Sequence, residues 1–558
     1  MSIHIAEVVP LRDTSRRRAC TAAIFSFLLL FGWTVFLQWA GNAYSSEFSG
    51  YPDEPAHYVT GLMVRDYIAS GFSQKPMAFA EAFYFHYPKV AFGMWGPLLH
   101  VGEGVWMLLF SASRTSVLIL MALITASLAF TLSRVIGSEF GWAAGLAAGL
   151  ALPSVLCVQT YTAMIMADNL CAFMDFCAII WLGRYLRSER RRDAVLFGVF
   201  ASLAVLTKGS GIALALAPPI AILITRRFAL LKTWNFWLPA ILVAVIAGPW
   251  QYVSYRFLSG IGDVRHVSWS IGSVYGPLML HILGPWLLPF ILIGIYDRVV
   301  APFASRTVDG RWAAAAAFIP AFWLFHSFVP TGSAEERYTA AVVGPILMFL
   351  AAGVARVAAW LPARFPYRAR AWALGIAVGC VFAGTVFAIP QKKSYGFAEV
   401  ADVLLSQPDF AHAVVLVSSE DQGEGLLVSE IAMRDHRPGC IVLRGTKVLA
   451  TVSWHGEHYV PRPPTPEETQ EYLEQISVSY LVLEMRAGKE PYVHHRNLIR
   501  MIAMYPDRWR LVGIYPQKTH VTAPGSRIEV YEAVGQENRP RGKIRLDLRY
   551  TLGRWIER

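Results

Sequence analysis

Before residue 390 the sequence is dominated by apolar runs of membrane-spanning length, and no water-soluble fold accommodates such a series. The runs fall at about 21–40, 114–133, 139–158, 165–183, 194–207, 210–225, 235–254, 276–297, 312–329, 339–357 and 371–389. Backbone N–H and C=O groups in hydrocarbon must be satisfied within the segment, so runs of this kind form helices. Composition agrees: 55% of the 558 residues are apolar and 16% are charged, against about 25% charged in soluble domains. The expectation is an α-helical polytopic membrane protein with about 11 transmembrane helices.

The basic residues orient it. Arg16, Arg17 and Arg18 precede the first run, and no small-residue cleavage pattern follows it, so that run reads as a retained anchor behind a cytoplasmic tail, residues 1–20. Every second loop is then basic: Arg134; RYLRSERRRD at 184–193; Arg226, Arg227 and Lys232; Arg298, Arg306 and Arg311; Arg356, Arg364, Arg368 and Arg370. This is the positive-inside pattern. It explains the net charge of +11 without nucleic acid as a partner. The stretch 92–110 carries Gly93, Gly96, Pro97, His100, Gly102, Glu103 and Gly104 and reads as a helix along the interface. Counting it as a span would put the arginine-rich 184–193 loop outside.

Composition changes after Pro390. Strand-like runs at 413–418, 440–445, 480–485 and 527–534 alternate with polar helical stretches such as TPEETQEYLEQI at 465–476, which predicts a soluble α/β domain over 391–558 on the outer face. Residues 21–390 form the membrane domain, with 41–112 as a first outer loop holding juxtamembrane helices. Of six cysteines only Cys440 lies in the polar C-terminal part, so neither a disulfide framework nor a zinc pattern is available there.

The unusual polar residues all fall on the non-cytoplasmic side. Asp53 and Glu54 open the outer loop in SGYPDEPAHY. One carboxylate can take a proton from a hydroxyl while the other orients it or binds metal. A helix cap at Asp53 with Pro55 in the first turn explains the same residues. Asp168 stands at the outer end of a run in YTAMIMADNLCAF, where the helix dipole also favours it. Lys208, in LTKGSG, opposes the topology signal and suits a phosphate at the interface, or else snorkels. Arg337, beside Tyr338 in AEERY, is disfavoured at a helix start unless an anion or a neighbouring glutamate holds it. Asp175, seven residues beyond Asp168, reads as a buried packing acid. Lys89, Trp95, His86 and His100 mark the interfacial segment. Trp250 and Arg256 follow a Gly-Pro-Trp turn, His57 and Tyr58 follow the acid pair, and His266 is a lone outer histidine. These last five are candidates for substrate contact.

Taken in order, these pieces resemble the GT-C superfamily of integral membrane glycosyltransferases, and within it the bacterial dolichyl-phosphate-mannose-protein mannosyltransferase-like group that includes the lipid A aminoarabinose transferase. The resemblance rests on a span followed by Asp53–Glu54, PLLH at 97–100, Thr-Tyr before Asp168, TKG at 207–209, Pro-Trp at 249–250 and Arg337–Tyr338. A Lys-Pro-Pro run usual in the family is WGPLLH here, and the WWD signature of oligosaccharyltransferases is absent. The resemblance implies inverting transfer of a single sugar from a polyprenyl-phosphate donor to a lipid, glycan or protein hydroxyl at the outer face of a bacterial inner membrane. It implies Asp53 as general base, with Glu54 and Asp168 in the catalytic set, and Lys208, Arg337, Tyr338 and Lys89 around the donor phosphate. Some relatives need a divalent cation such as Mg or Mn, for which Asp53 and Asp168 are the candidate ligands. Two other classes fit a polytopic chain: a transporter or flippase of envelope lipids, and a non-catalytic envelope assembly protein. A transporter calls for mid-membrane charges and paired repeats; here the charges sit at one face, Asp175 excepted, and no repeat is found.

Overall fold

The computed structural model describes residues 11–49, 51–259, 269–328, 335–419, 421–451, 459–520, 522–535, 542–548 and 552–558. Five of the described helices are long and apolar enough to cross a membrane: Cys20–Ala40, Arg114–Phe140, Asp168–Ser188, Pro285–Ala304 and Glu336–Trp360. A sixth span arises if Trp234–Ile246 and Gly248–Phe257, bent by 49°, count as one. The expectation of about eleven is therefore met only in part. The other runs are helical at the expected places; Gly310–Phe328 and Tyr367–Thr385 are continuous helices of 19 residues, while some are short or broken, as in Trp142–Ser154 and Gly209–Thr225. Pro153 lies in the 3-10 turn ending the first of these, and Pro218 and Pro219 fall where the second passes from 3-10 to α geometry, because proline removes a backbone donor and clashes with the preceding turn.

These helices bury a common core through Leu30, Leu132, Phe176, Ile179, Phe318 and Phe349. Small residues let backbones approach, as expected where no hydrophobic force separates helix from lipid: a Cβ on Gly353 would lie 1.8 Å from the Phe290 carbonyl. The two ends of the bundle differ. At one end Arg187 meets Asp309, and Glu139 meets both Arg298 and Arg311. The other end carries the acids and cations described below.

Beyond Pro390 the chain builds a five-stranded mixed sheet in the order Ile441–Arg444, Val414–Ser418, Tyr480–Met485, Arg527–Ala533, Trp509–Pro516. The first three are parallel, with Leu416 level with Leu443 and Leu481; the last two join antiparallel. VVLVS and IVLR are buried at every position, as parallel strands covered on both faces must be.

This sheet does not stand apart. Its core is continuous with residues of the outer loop: Tyr58, Leu62, Phe83, Tyr87 and Leu99 pack in one cluster with Val415, Leu427, Ile431 and Leu481. The seam is also ionic. Arg437 pairs with Asp66 at 2.7 Å, Arg114 with Glu430 at 2.8 Å, and the Tyr87 hydroxyl donates to Asp435 at 2.7 Å. The 41–112 segment thus shares its core with the C-terminal part, although it belongs by sequence to the membrane half. Its helices Asp53–Ala69, Pro76–His86 and Pro97–Leu109 are too short to span and supply the apolar floor on which the sheet rests.

Candidate active site

Helix Asp53–Ala69 begins at Asp53 itself; Pro52 holds the cap position and no side chain caps the helix. The cap explanation for Asp53 therefore fails. Its carboxylate turns toward the late helix instead, and Asp53 Oδ2 lies 2.5 Å from Arg337 Nη1. Arg337 sits in the 3-10 turn Glu336–Thr339 that leads into Ala340–Trp360, with its guanidinium also 2.7 Å from Glu335 Oε2. The local pair and the distant one coexist because a guanidinium offers five donors in a planar fork.

A second pair stands beside the first. Helix Arg191–Thr207 ends at Lys208, which is extended before the 3-10 turn Gly209–Leu216. That break throws the lysine sideways onto Asp168, the first residue of Asp168–Ser188, with Nζ 2.6 Å from Oδ1. The side chains of Lys208 and Asp168 are 12% and 2% exposed, so the snorkelling alternative fails too. The Lys208 ammonium lies 4.4 Å from the centre of the Tyr338 ring, and the Arg337 guanidinium 5.4 Å from it. Arg337 feels Asp168, Asp53 and Glu335. Four charged groups from four chain segments thus form one alternating cluster, with Tyr338 between the two cations. Asp168 Oδ2 is buried without a hydrogen bond.

Glu54 lies elsewhere. It is fully buried, and its carboxylate takes Lys392 Nζ at 2.9 Å and the backbone N–H groups of Ser49 and Ile165. Ile165 stands three residues before Asp168, so Glu54 fastens the loop that presents that acid. Placing Glu54 among the reacting groups is corrected: adjacent helical residues point about 100° apart, and Glu54 faces the seam with the C-terminal part. Burial pulls the Lys392 ammonium down while Glu54 opposes it.

His57 is buried in the same helix. Its ring stacks on Trp95 at 4.1 Å, and Nδ1 lies 3.0 Å from His100 Nε2. Burial, then the cations Lys208 and Arg337, hold His57 well below the usual histidine range; burial does the same to His100. The loop carrying Trp95 is pressed onto the TKG segment: a Cβ on Gly96 would fall 1.9 Å from the Leu206 carbonyl. His326 stacks on the far side of Tyr338 at 5.0 Å. Near Asp53, Tyr51 stacks on His520 of the C-terminal part at 4.5 Å and approaches Tyr161 at 6.2 Å.

Other expected contacts fall away from the cluster. Tyr58 donates its hydroxyl to the Ala112 carbonyl and packs on Phe48 in the core, so it is structural. Lys89 is buried against Gly425, 2.7 Å from a Cβ built there; this puts it at the seam and corrects its place beside a donor phosphate. Arg256 is exposed on helix Gly248–Ser259. Trp250, on that helix, buries its indole N–H without a hydrogen bond. His266 lies outside the described residues. Asp175 is buried and accepts from the Cys171 thiol at 3.6 Å. Lys392, His326 and His520 carried no signal in the sequence, because each gains meaning only from a partner far along the chain.

A divalent cation at Asp53 and Asp168 does not fit this arrangement. Each acid already holds a cationic side chain, and no group of three His, Cys, Asp or Glu side chains suited to a metal gathers among the described residues.

Comparison with known proteins bears on the fold. Residues 103–252 match the family model described as dolichyl-phosphate-mannose-protein mannosyltransferase. That segment includes Asp168 and Lys208. Comparison with the curated proteins finds no match. Among solved structures the fold is similar to that of ArnT from Cupriavidus metallidurans. With undecaprenyl phosphate bound the TM-score is 0.53 at 16% identity, over 92% of this chain and 99% of that one. In the apo state it is 0.54 at 16% identity, over 93% and 100%. The oligosaccharyltransferase of Archaeoglobus fulgidus, in complex with Zn and sulfate, gives 0.52 at 13% identity, over 82% and 68%. By fold, the chain is similar to these glycosyltransferases, and five of its described helices are long and apolar enough to cross a membrane.

Proposed function

We propose that this protein transfers a single sugar, with inversion, from a polyprenyl-phosphate donor to an acceptor hydroxyl at the extracytoplasmic face of a bacterial inner membrane. The observation that carries the reading is the alternating cluster Asp53–Arg337 and Asp168–Lys208. Two cations 10% and 12% exposed, each held by an acid and both beside Tyr338, form a receptor for a phosphate that is closed by carboxylates until a phosphate takes their place. The undecaprenyl phosphate bound to ArnT supports a donor of this lipid class.

In this mechanism the donor phosphate draws Arg337 from Asp53 and shares Lys208 with Asp168. Asp53, 20% exposed and the more accessible acid, is then released to accept the proton of the attacking hydroxyl. A hydroxyl is a weak nucleophile until a base takes that proton. The acceptor oxygen bonds to the anomeric carbon as the bond to the phosphate oxygen breaks, and the electron pair leaves with the phosphate. Lys208 and Arg337 stabilise the charge that develops there, in a site already dry and organised. Asp168 orients Lys208, and Glu54 with Lys392 fixes the loop that presents Asp168. The C-terminal α/β part, residues 391–558, faces the same compartment and roofs the site through His520.

The test is mass spectrometry of envelope glycans from a deletion strain complemented with wild-type protein or with Asp53→Asn. A glycan unit restored by the first and missing with the second, at equal protein level, is the expected result. Equal restoration by both would overturn the reading.

A further inference from the structure

The C-terminal sheet holds a cavity that the transfer reaction does not use. Strand Val414–Ser418 connects through helix Asp421–Arg434 to its neighbour Ile441–Arg444 on one side. Strand Tyr480–Met485 connects through helix Val493–Met504 toward the opposite edge, to Trp509–Pro516. The two parallel strands lie side by side, with Leu416 level with Leu481, so their connections part at their carboxyl ends. Open α/β sheets bind ligands at such a point, because diverging connections leave a crevice there. A cavity of about 200 Å³ lies at this place, bordered by Ser419, Arg486, Lys489, Tyr492, His495 and Arg527.

Its chemistry is basic and aromatic. Both oxygens of the fully buried Glu484 are engaged: Oε1 holds Arg486 Nε at 3.0 Å, and Oε2 accepts the Ser419 hydroxyl. That pair fixes the guanidinium of Arg486, 8% exposed, in the wall of the cavity. Glu490, the other acid at the border, is engaged by Arg496. Arg527, 47% exposed, and Lys489 stand at the border. Tyr492 is held by a stack on Tyr459 at 5.2 Å and caps the amino end of helix Val493–Met504, whose dipole adds positive potential. His495 is held by Ser418, with Nδ1 and Oγ 2.9 Å apart. The volume falls below the roughly 300 Å³ at which drug-sized pockets begin, which suits one sugar ring.

We propose that this crevice is a second binding site, for a sugar-sized anion: a phosphorylated or carboxylated saccharide unit. Arg486, Arg527 and Lys489 hold the anionic group, and Tyr492 presents a ring for the saccharide face. The ligand is either a free sugar phosphate or one residue of an acidic glycan, and the test separates the two.

Full-length protein in detergent is titrated calorimetrically with glucose 1-phosphate, with a galacturonate trisaccharide, with inorganic phosphate and with glucose. The expected result is saturable binding of one of the first two, stronger than inorganic phosphate, and none of glucose. Preference for glucose 1-phosphate identifies a free sugar phosphate; preference for the trisaccharide identifies an acidic glycan. The double substitution Lys489→Ala with Arg527→Ala, at two exposed positions, should weaken binding about tenfold or more and leave the thermal midpoint unchanged. Asp53→Asn should bind like the wild type, which separates this site from the transfer reaction. No saturable binding of either saccharide, binding no stronger than inorganic phosphate, or affinity untouched by the double substitution would overturn the proposal.

Discussion

Arg337 reaches Asp53 across 284 positions of sequence, guanidinium to carboxylate at 2.5 Å. The contact joins helix Asp53–Ala69 to the start of a late span, and it ties the more accessible acid of the cluster to a guanidinium. The arrangement leaves the cluster self-neutralised: each acid satisfies one cation, and in the proposed mechanism a ligand separates them.

Asp53→Asn keeps the shape and removes the proposed base. Transfer by purified protein in liposomes should fall by about 10²–10⁴, the usual worth of a positioned general base. Arg337→Lys keeps the charge but loses the fork, and should raise the donor KM along with lowering kcat. A single-turnover assay with lipid-phosphate sugar separates the two effects.

Lys208→Met strands the buried Asp168 without its partner. Losing one member of a buried pair costs about 3–5 kcal/mol, so the thermal midpoint should drop sharply. Lys208→Met combined with Asp168→Asn should recover most of that loss and none of the transfer activity. Recovery of activity in the double variant would show that the pair is only structural.

Lys392→Met removes the counter-charge of the fully buried Glu54 and should also destabilise by about 3–5 kcal/mol. Glu54→Gln in the same background removes the stranded charge and relieves part of that loss, since its single amide oxygen still accepts one of the Ser49 and Ile165 N–H groups. The refolded double variant should retain transfer well above that of Asp53→Asn. Equal inactivity would return Glu54 to the reacting groups.

His57 and His100 give a pH signature. Both are held well below the usual range when folded, so below about pH 6.5 the unfolded chain binds more protons than the folded one. Their contribution is present above that pH and lost as the pH falls. Scanning calorimetry from pH 8 to 5.5 should show a falling midpoint, with a shallower slope in His100→Asn.

Much of the fold was legible in the chain. Hydropathy marked the spans at 21–40, 114–133 and 339–357, and the β-branched runs AVVLVS and YLVLEM marked two parallel strands. The count was met only in part: prolines at 153, 218, 219 and 239 break or bend apolar runs that composition alone reads as continuous. The site was legible as a set of residue types on one face. It was not legible as pairs, and Lys89 and Tyr58 drew attention through sequence context while facing a seam.

Hydrophobicity and charge are local properties, so the chain alone settled the membrane class and singled out Asp53, Asp168, Lys208 and Arg337 as candidates. Which acid meets which cation was decided by packing. Asp53 and Glu54 are neighbours with the same chemistry, yet one helix step turns the first toward Arg337 and the second toward Lys392. That rotation acquires meaning only when helices and sheet, far apart in the chain, close around it.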